Sequence, residues 1–548
     1  MSDFLRLVGG TVYDPANKID GEIRDICIQD GTIVADVPAH APKLDVAGMV
    51  VMPGGVDIHC HVASAGVNHA RRLTAEDRDP VYAPRLIDGV GRSGTGGTVP
   101  STFSTGYRYA GLGYTTVFDA AVAPLTAKVC HASLDDTPIV DAGFFALMGN
   151  DEYLLRQVAA GEHDLARDYM AWLLGACGAY AVKIVNPGGI EWWKAGQREA
   201  AALDDPVRDG VTPRSILETL TTAANELGLP HPVHVHCNQL GIPGNVATTL
   251  ASMRAISGRR AHFTHLQFHS YGGERGKSWN SAAAMVADYV NTHPEVTADV
   301  GQVMFGPAMT LTADSPVEHL LHAATGKKWV NIDIELETGC GMVPYTYAEK
   351  AAAAALQWVV GLELFLLSED PWRMVLSTDH PNGGSFLAYP QLIELLMCRD
   401  VRDEQLARIN HRYLAGSALA EGLAREYTLN EIAIVTRAGP ARILGLKHKG
   451  HLGVGADADV TVYQRSDRIA EMFSTPQYVI KAGTLVVEEG QLRRAPEGRR
   501  LYLRPEFDDA VLPTLRRHFE ENATTQFENY GVHGLRSEPL EASAKADG

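Results

Sequence analysis

The sequence predicts an α/β protein: a (β/α)8 TIM-like barrel with a small β-sandwich domain built from both chain ends. Three observations carry that prediction. Residues 51–430 alternate short apolar runs with helical stretches, and eight of the runs have strand character. Many of these runs end in turn residues, as at Asn186-Pro187-Gly188-Gly189 and Pro381-Asn382-Gly383-Gly384. Both ends of the chain read instead as short strands joined by tight turns. The boundaries that follow are 1–50 and 431–500 for the two parts of the β domain, 51–430 for the barrel and 501–548 for a C-terminal extension. The end of that extension, from about residue 537, is small and polar and is expected to be disordered.

At the N-terminal end, 5–12 reads as a strand closed by the turn Asp14-Pro15, and 23–28 and 33–34 flank the hairpin signal Asp30-Gly31. Near the other end, Gly455-Ala456-Asp457-Ala458-Asp459 precedes the alternating run Val460-Thr461-Val462-Tyr463, and 478–492 offers two strands around Glu489-Gly490. One domain made from both termini accounts for the shared texture; two unrelated β ends are the alternative. The barrel strands are predicted at 56–62, 115–121, 143–148, 180–185, 233–237, 261–268, 329–334 and 374–377. The run 301–312 is also strand-like, either an insertion or a competitor for the seventh position.

Composition sets the outer limits. The chain has 548 residues, 45% apolar and 21% charged, enough for a large core and unlike a disordered, collagenous or coiled-coil chain. A net charge of −18 argues against nucleic-acid binding by broad phosphate neutralisation. The seven cysteines are dispersed and form no CxxC, which argues against a zinc ribbon, a thioredoxin-like motif, a clustered iron–sulfur site or a disulfide framework. That usage fits a reducing cytoplasm. Residues 1–10 carry no basic-then-apolar signal pattern. The apolar stretch 351–367 contains Gln357 and Glu363 and reads as a buried helix rather than a membrane span. Arginine outnumbers lysine 35 to 13, a balance that leans to a mesophile.

The chemistry concentrates at strand ends. In Pro53-Gly54-Gly55-Val56-Asp57-Ile58-His59-Cys60-His61 the period of two puts His59 and His61 on one face, at the C-terminal rim where barrels keep their sites. Two imidazoles there suit a divalent metal; a hydrogen-bonded loop pair is the competing reading. Lys183 lies inside Ala181-Val182-Lys183-Ile184-Val185, where desolvation lowers its pKa and leaves a nucleophilic amine. Taken alone, an edge-strand lysine reaching solvent is commoner. Val233-His234-Val235-His236-Cys237-Asn238 gives two histidines on one face, His236 nearer the rim as the better ligand and His234 deeper. In 261–269, His265, Gln267 and His269 share a face and His262 takes the other, with His265 favoured over His269 as a ligand. Asp379 ends an apolar strand, where a carboxylate can bind metal and move protons; a cap or turn aspartate competes. Cys237, Asn238, His269, His380 and Asn382 adjoin these residues as candidate neighbours of the ligands, with His234. Together, ligand-type residues stand at the ends of strand candidates one, four, five, six and eight, in order.

That order, HxH, Lys, His, His, Asp, resembles the binuclear-metal amidohydrolase superfamily of dihydroorotases, hydantoinases and ureases. The resemblance runs from residue 5 to about 492 and includes Thr436-Arg437-Ala438-Gly439-Pro440-Ala441 and Gly455-Ala456-Asp457-Ala458-Asp459. Three longer strings are more specific. The stretches 232–241, 263–272 and 301–307 resemble the family formed by the A component of formylmethanofuran dehydrogenase and that of its bacterial counterpart, the formyltransferase/hydrolase complex. The resemblance implies two divalent metal ions of the zinc kind, bridged by Lys183 as N6-carboxylysine. It implies His59 and His61 as first-strand ligands, His236 and His265 as ligands of the second metal, and Asp379 as ligand and catalytic general acid/base. The implied activity is hydrolysis of the N-formyl group of a methanofuran-type C1 carrier to formate, in the cytoplasm. The implied setting is a heteromeric complex with two further subunits and a formyltransferase subunit. No nucleic acid or membrane partner is implied.

The archaeal relatives run the reaction in the formate-condensing direction; the arginine-rich composition favours the hydrolytic one. A dihydropyrimidinase-like cyclic amidase and a non-catalytic scaffold are the alternatives. The carrier's anionic tail calls for positive charge, for which Arg71-Arg72, Arg259-Arg260, Arg493-Arg494, Arg499-Arg500 and Arg504 are candidates, each more often a solvated face or an intersubunit contact.

Overall fold

Strands buried on both faces read as near-continuous apolar runs, and eight such runs build the barrel. In chain order they are Gly55–Cys60, Tyr114–Val122, Asp141–Leu147, Ala181–Val185, Val233–His236, Ala261–Phe263, Val296–Val300 and Met374–Leu376, parallel neighbours in one sheet. The computed structural model describes residues 4–71, 73, 102–197, 201–312, 314–326, 330–332, 340–535 and 537–540. The ring closes at the C-terminal ends of the first and eighth strands through two backbone bonds, Asp379 N–H to His59 O and His61 N–H to His380 O, both 2.8 Å. Helices follow the strands with ordinary end signals. Pro213–Glu226, for example, starts in a capping box between Thr212 and Ser215 with proline in its first turn.

One strand differs from the sequence expectation. The seventh is Val296–Val300, pairing with Ala261–Phe263 on one side and Met374–Leu376 on the other. The run predicted there contributes Val330–Ile332 to a separate antiparallel sheet with Cys340–Tyr347 and Gly306–Thr312; residues 329, 333 and 334 lie outside the described residues. This sheet and the helix Ser315–Thr325 form an insertion over the barrel mouth. The two candidates for the position are both apolar and β-rich, whereas the true strand hides behind the polar pair Thr297 and Asp299.

The β domain joins both chain ends. Val50–Pro53 pairs in parallel with Phe4–Asp14 and antiparallel with Val460–Tyr463, inside a nine-stranded sheet. Leu7, Val12, Ile28 and Val51 share its core with Leu452, Val460 and Ile480. The run 478–492 makes three strands rather than two, because Ala482-Gly483, both left-handed, add a turn. The extension lays Arg500–Leu501 beside the N-terminal end of the third barrel strand. The tail expectation fails for residues 537–540: Leu540 N–H donates to Tyr502 O at 2.9 Å and Tyr502 Oη to Ser537 O at 2.8 Å. Residues 541–548 lie outside the described residues.

The stretch 351–367 forms the buried helix Ala352–Leu367, whose Glu363 accepts Leu419 N–H at 2.8 Å. Among the described residues no helix is long and apolar enough to cross a membrane.

Candidate metal centre

Four barrel exits turn through left-handed backbone at non-glycine residues: Asn186 (φ 43°), Gln239 (64°), His265 (39°) and Asp379 (42°). That region is uncommon for such residues, and the strain it stores clusters at functional sites. The turns swing side chains over the barrel mouth. There His59, His61, Lys183, His236, His265 and Asp379 line one cavity of about 450 Å³. None of the six is more than 7% exposed.

They form two groups. His59 Nε2 and His61 Nε2 each lie 3.3 Å from Asp379 Oδ1. His236, His265 and His269 place ligand-type nitrogens within 4.8 Å of one another. His236 Nε2, His265 Nδ1, both ring nitrogens of His269 and Lys183 Nζ are buried without a hydrogen-bond partner among the described residues. Buried polar atoms are normally satisfied, so this cluster of orphans fits a metal site, and imidazoles with a carboxylate suit a zinc-like divalent ion.

His269 thus joins His265, the residue favoured over it as a ligand in the sequence. The predicted strand 261–268 stops at Phe263, His265 turns left-handed, and Leu266–Phe268 makes a single tight turn. Strand alternation no longer applies, and the His265 and His269 rings stack 5.3 Å apart. His262, expected on the far face, points inward and meets Asp299 at 2.9 Å. Gln267 accepts the Gly301 N–H at 3.1 Å.

Burial sets the charges. It pushes Lys183 down to about 7, so a neutral amine is available at neutral pH. It holds His59, His236, His265 and His269 well below the ordinary imidazole range, in the neutral form that binds metal. Burial opposes ionisation of Asp379 too, but His61, His265 and the Asn382 amide outweigh it and keep that carboxyl below its usual range. Asn382 Nδ2 donates to Asp379 Oδ1 at 2.8 Å, while its carbonyl oxygens receive Leu311 N–H and Tyr347 Oη, so it ties Asp379 to the insertion.

The other neighbours divide. His234 Nε2 is 2.9 Å from His59 Nδ1. Asn238 donates to Asn186 Oδ1 at 2.9 Å, and Asn186 to Asp314 Oδ1 at 3.1 Å, bracing two strand exits against the insertion. Cys237 does not line the cavity; burial pushes its thiol up to about 12, and it is a core residue. The His380 ring packs edge-on against Phe386 at 4.8 Å.

Several supporting residues escape the sequence reading. Asp57 accepts Thr378 N–H at 3.1 Å and Tyr109 Oη at 2.7 Å. Asp119 Oδ2 accepts the backbone N–H groups of Val62, Ala63 and Ser64, fixing the loop after His61. Asp299 accepts His265 N–H at 3.0 Å; burial pushes its carboxyl up, but His262, His59 and Ser377 hold it at about 2. An ionisable residue inside an apolar strand is the signal that singles out Lys183, and Asp57 and Asp119 carry it too.

The cavity wall beyond the histidines is apolar, with Leu240, Phe268, Trp279, Leu311, Leu320 and Leu321, and Glu318 set among them. Thr310 Oγ1 donates to Val343 O at 2.7 Å and lies 3.3 Å from Glu318 Oε2. Burial pushes Glu318 up to about 8.

None of the described candidate arginines for the carrier tail lines this cavity. Arg260 donates to Leu229 O at 2.6 Å, and Arg499 pairs with Asp141 at 3.0 Å, both at the N-terminal end of the barrel. Arg71 is buried and bonds Val62 O, and Arg72 lies outside the described residues.

Comparison with known proteins adds to this geometry. Residues 44–487 match the model of the amidohydrolase family. Over 547 residues the chain is 42% identical to the protein FwdA of Methanocaldococcus jannaschii, covering 95% of each chain. Over 536 residues it is 36% identical to the A component of the formyltransferase/hydrolase complex Fhc of Methylorubrum extorquens, covering 96% of each. It also superposes, with a TM-score of 0.92 and 35% identity over 99% of this chain and 100% of the other, on a chain from the crystal structure of the formyltransferase/hydrolase complex FhcABCD of Methylorubrum extorquens with methylofuran.

Proposed function

The chain belongs to the amidohydrolase family of metal-dependent hydrolases, and on that premise we propose that it releases formate from the N-formyl group of a methanofuran-type carrier, as the hydrolase component of a formyltransferase/hydrolase complex. The observation that carries this reading is the convergence of His59, His61, Lys183, His236, His265 and Asp379 on one cavity. The end-to-end similarity to the Fhc component supports the substrate and the assembly.

His59, His61 and Asp379 would hold one ion, and His236 and His265 the other with His269 beside them. The neutral Lys183 amine would add to CO2, an N–C bond forming and a proton leaving, and the carbamate would help hold the ions. Bound there, zinc-type ions polarise a carbonyl and ionise water near neutral pH. Asp379 takes the proton of the attacking water as its oxygen adds to the formyl carbon. It then gives that proton to the amine nitrogen as the C–N bond breaks, leaving formate and free amine. The apolar wall of Leu240, Phe268 and Trp279 suits the aromatic part of a furfurylamine. Microscopic reversibility lets the same groups run the formate-condensing direction.

The test is formate release from N-formylfurfurylamine by the assembled protein, with hydantoin and dihydropyrimidine as controls. Formate release with inert cyclic amides supports the reading. Turnover of the cyclic amides alone supports a dihydropyrimidinase-like activity instead, and turnover of neither supports a scaffold.

A further inference from the structure

Three buried histidines form a chain through the barrel interior. His231 Nδ1 is 3.1 Å from the carbonyl oxygen of Ile443. His231 Nε2 is 3.0 Å from His234 Nδ1, and His234 Nε2 is 2.9 Å from His59 Nδ1. His231, His234 and His59 are all at most 1% exposed. The His231 ring is stacked on Phe145, centroids 5.0 Å apart, which fixes its plane.

A carbonyl oxygen only accepts, and that breaks the symmetry of the chain. Ile443 lies in the last turn of the helix Gly439–Leu444, where carbonyls lack helical partners. Its oxygen demands that His231 Nδ1 carry hydrogen. A neutral imidazole has one N–H, so His231 Nε2 must accept, His234 Nδ1 must donate and His234 Nε2 must accept. His59 Nδ1 then donates, and the lone pair of His59 Nε2 faces His61 and Asp379. The reverse order would set a nitrogen lone pair against the Ile443 oxygen.

The surrounding groups agree with this direction. Thr264 Oγ1, also against His59 Nδ1, can accept from the same N–H. Asp299 Oδ2 stands 3.7 Å from His234 Nε2, beyond hydrogen-bond reach, and already receives His262 Nε2 at 2.9 Å.

We propose that His231 and His234 are positioning residues that transmit the acceptor character of the Ile443 carbonyl to His59, leaving its Nε2 free to bind metal. The inference rests on the metal-centre reading above. Partners of a ligating histidine that fix its tautomer typically contribute 10–100-fold in metal affinity.

The experiment is zinc affinity by chelator competition, on the wild type and on His231→Gln and His231→Phe. Glutamine can donate its amide to Ile443 O and accept from His234; phenylalanine keeps the stacking and does neither. The expected result is that His231→Phe weakens one of two zinc equivalents by about 10–100-fold, while His231→Gln stays within about threefold of wild type. Equal affinity in wild type and His231→Phe overturns the proposal, as does an equal loss in both variants. A wild type that binds no zinc overturns instead the metal-centre reading beneath it. If His231→Phe does not fold, long-range proton–nitrogen spectra of the zinc-loaded wild type decide. Nδ1–H tautomers at His231, His234 and His59 support the chain, and an Nε2–H tautomer at His231 overturns it.

Discussion

Gly301, just past the seventh barrel strand, leaves no room for a side chain against Asp379: a β-carbon there would overlap the Asp379 β-carbon. Its backbone is also gripped at both ends by the Gln267 amide. Gly301→Ala should therefore move Asp379 while leaving the core packed. A displacement of about an ångström costs roughly 100-fold in rate. Steady-state kinetics on the formylated carrier checks this, and an unchanged kcat would show that Asp379 has slack the packing does not suggest.

Asp379→Asn keeps the shape of the side chain and removes proton transfer. The expected loss is about 10²–10⁴-fold in kcat, with the fold retained. A loss below about tenfold would give the proton-transfer role to another group.

Glu318 links stability to pH. Its folded pKa is about 8, above the ordinary 4.5, so the folded state binds the extra proton between those values. Stability is therefore greatest below about 4.5 from this group and falls as pH rises through about 8, with a slope approaching 1.4 kcal/mol per pH unit. Glu318→Gln stays neutral at every pH. Denaturant titrations across that window should show the fall in the wild type and a flatter profile in the variant; identical profiles would mean Glu318 is ionised in the fold.

Much of this is legible in the sequence, and what is not has physical reasons. The barrel and the domain joining both ends follow from strand–helix alternation and turn residues, and six ligand-type residues follow from ionisable side chains in apolar strands. The seventh strand is misplaced because Thr297 and Asp299 interrupt its apolar run while the insertion supplies a cleaner one. Asp299 is lost with it. His269 is brought into the site because the predicted strand ends at Phe263 and turns left-handed at His265, a turn that has no marker residue. His231 sits outside any strand, and its role depends on a carbonyl more than two hundred residues away, which no local pattern can reveal.

Assembly is open to a direct check. A carrier that stays tethered gains effective concentration when formyl transfer and hydrolysis occur in one complex. Native purification should yield a heteromeric assembly with formyltransferase activity, and this chain should add no iron–sulfur absorbance because its cysteines are dispersed. A free monomer, fully active on the formylated carrier, would contradict this.

His59, His61, Lys183, His236, His265 and Asp379 are expected to form one binuclear metal centre, and elemental analysis of the purified wild type and of Lys183→Ala can show it. Two equivalents of divalent metal are expected per wild-type chain. Lys183→Ala should lose most of the metal and of the activity, with partial rescue by added short carboxylates. A Lys183→Ala protein with full metal content and full activity, or a wild type that is active without metal, would contradict it.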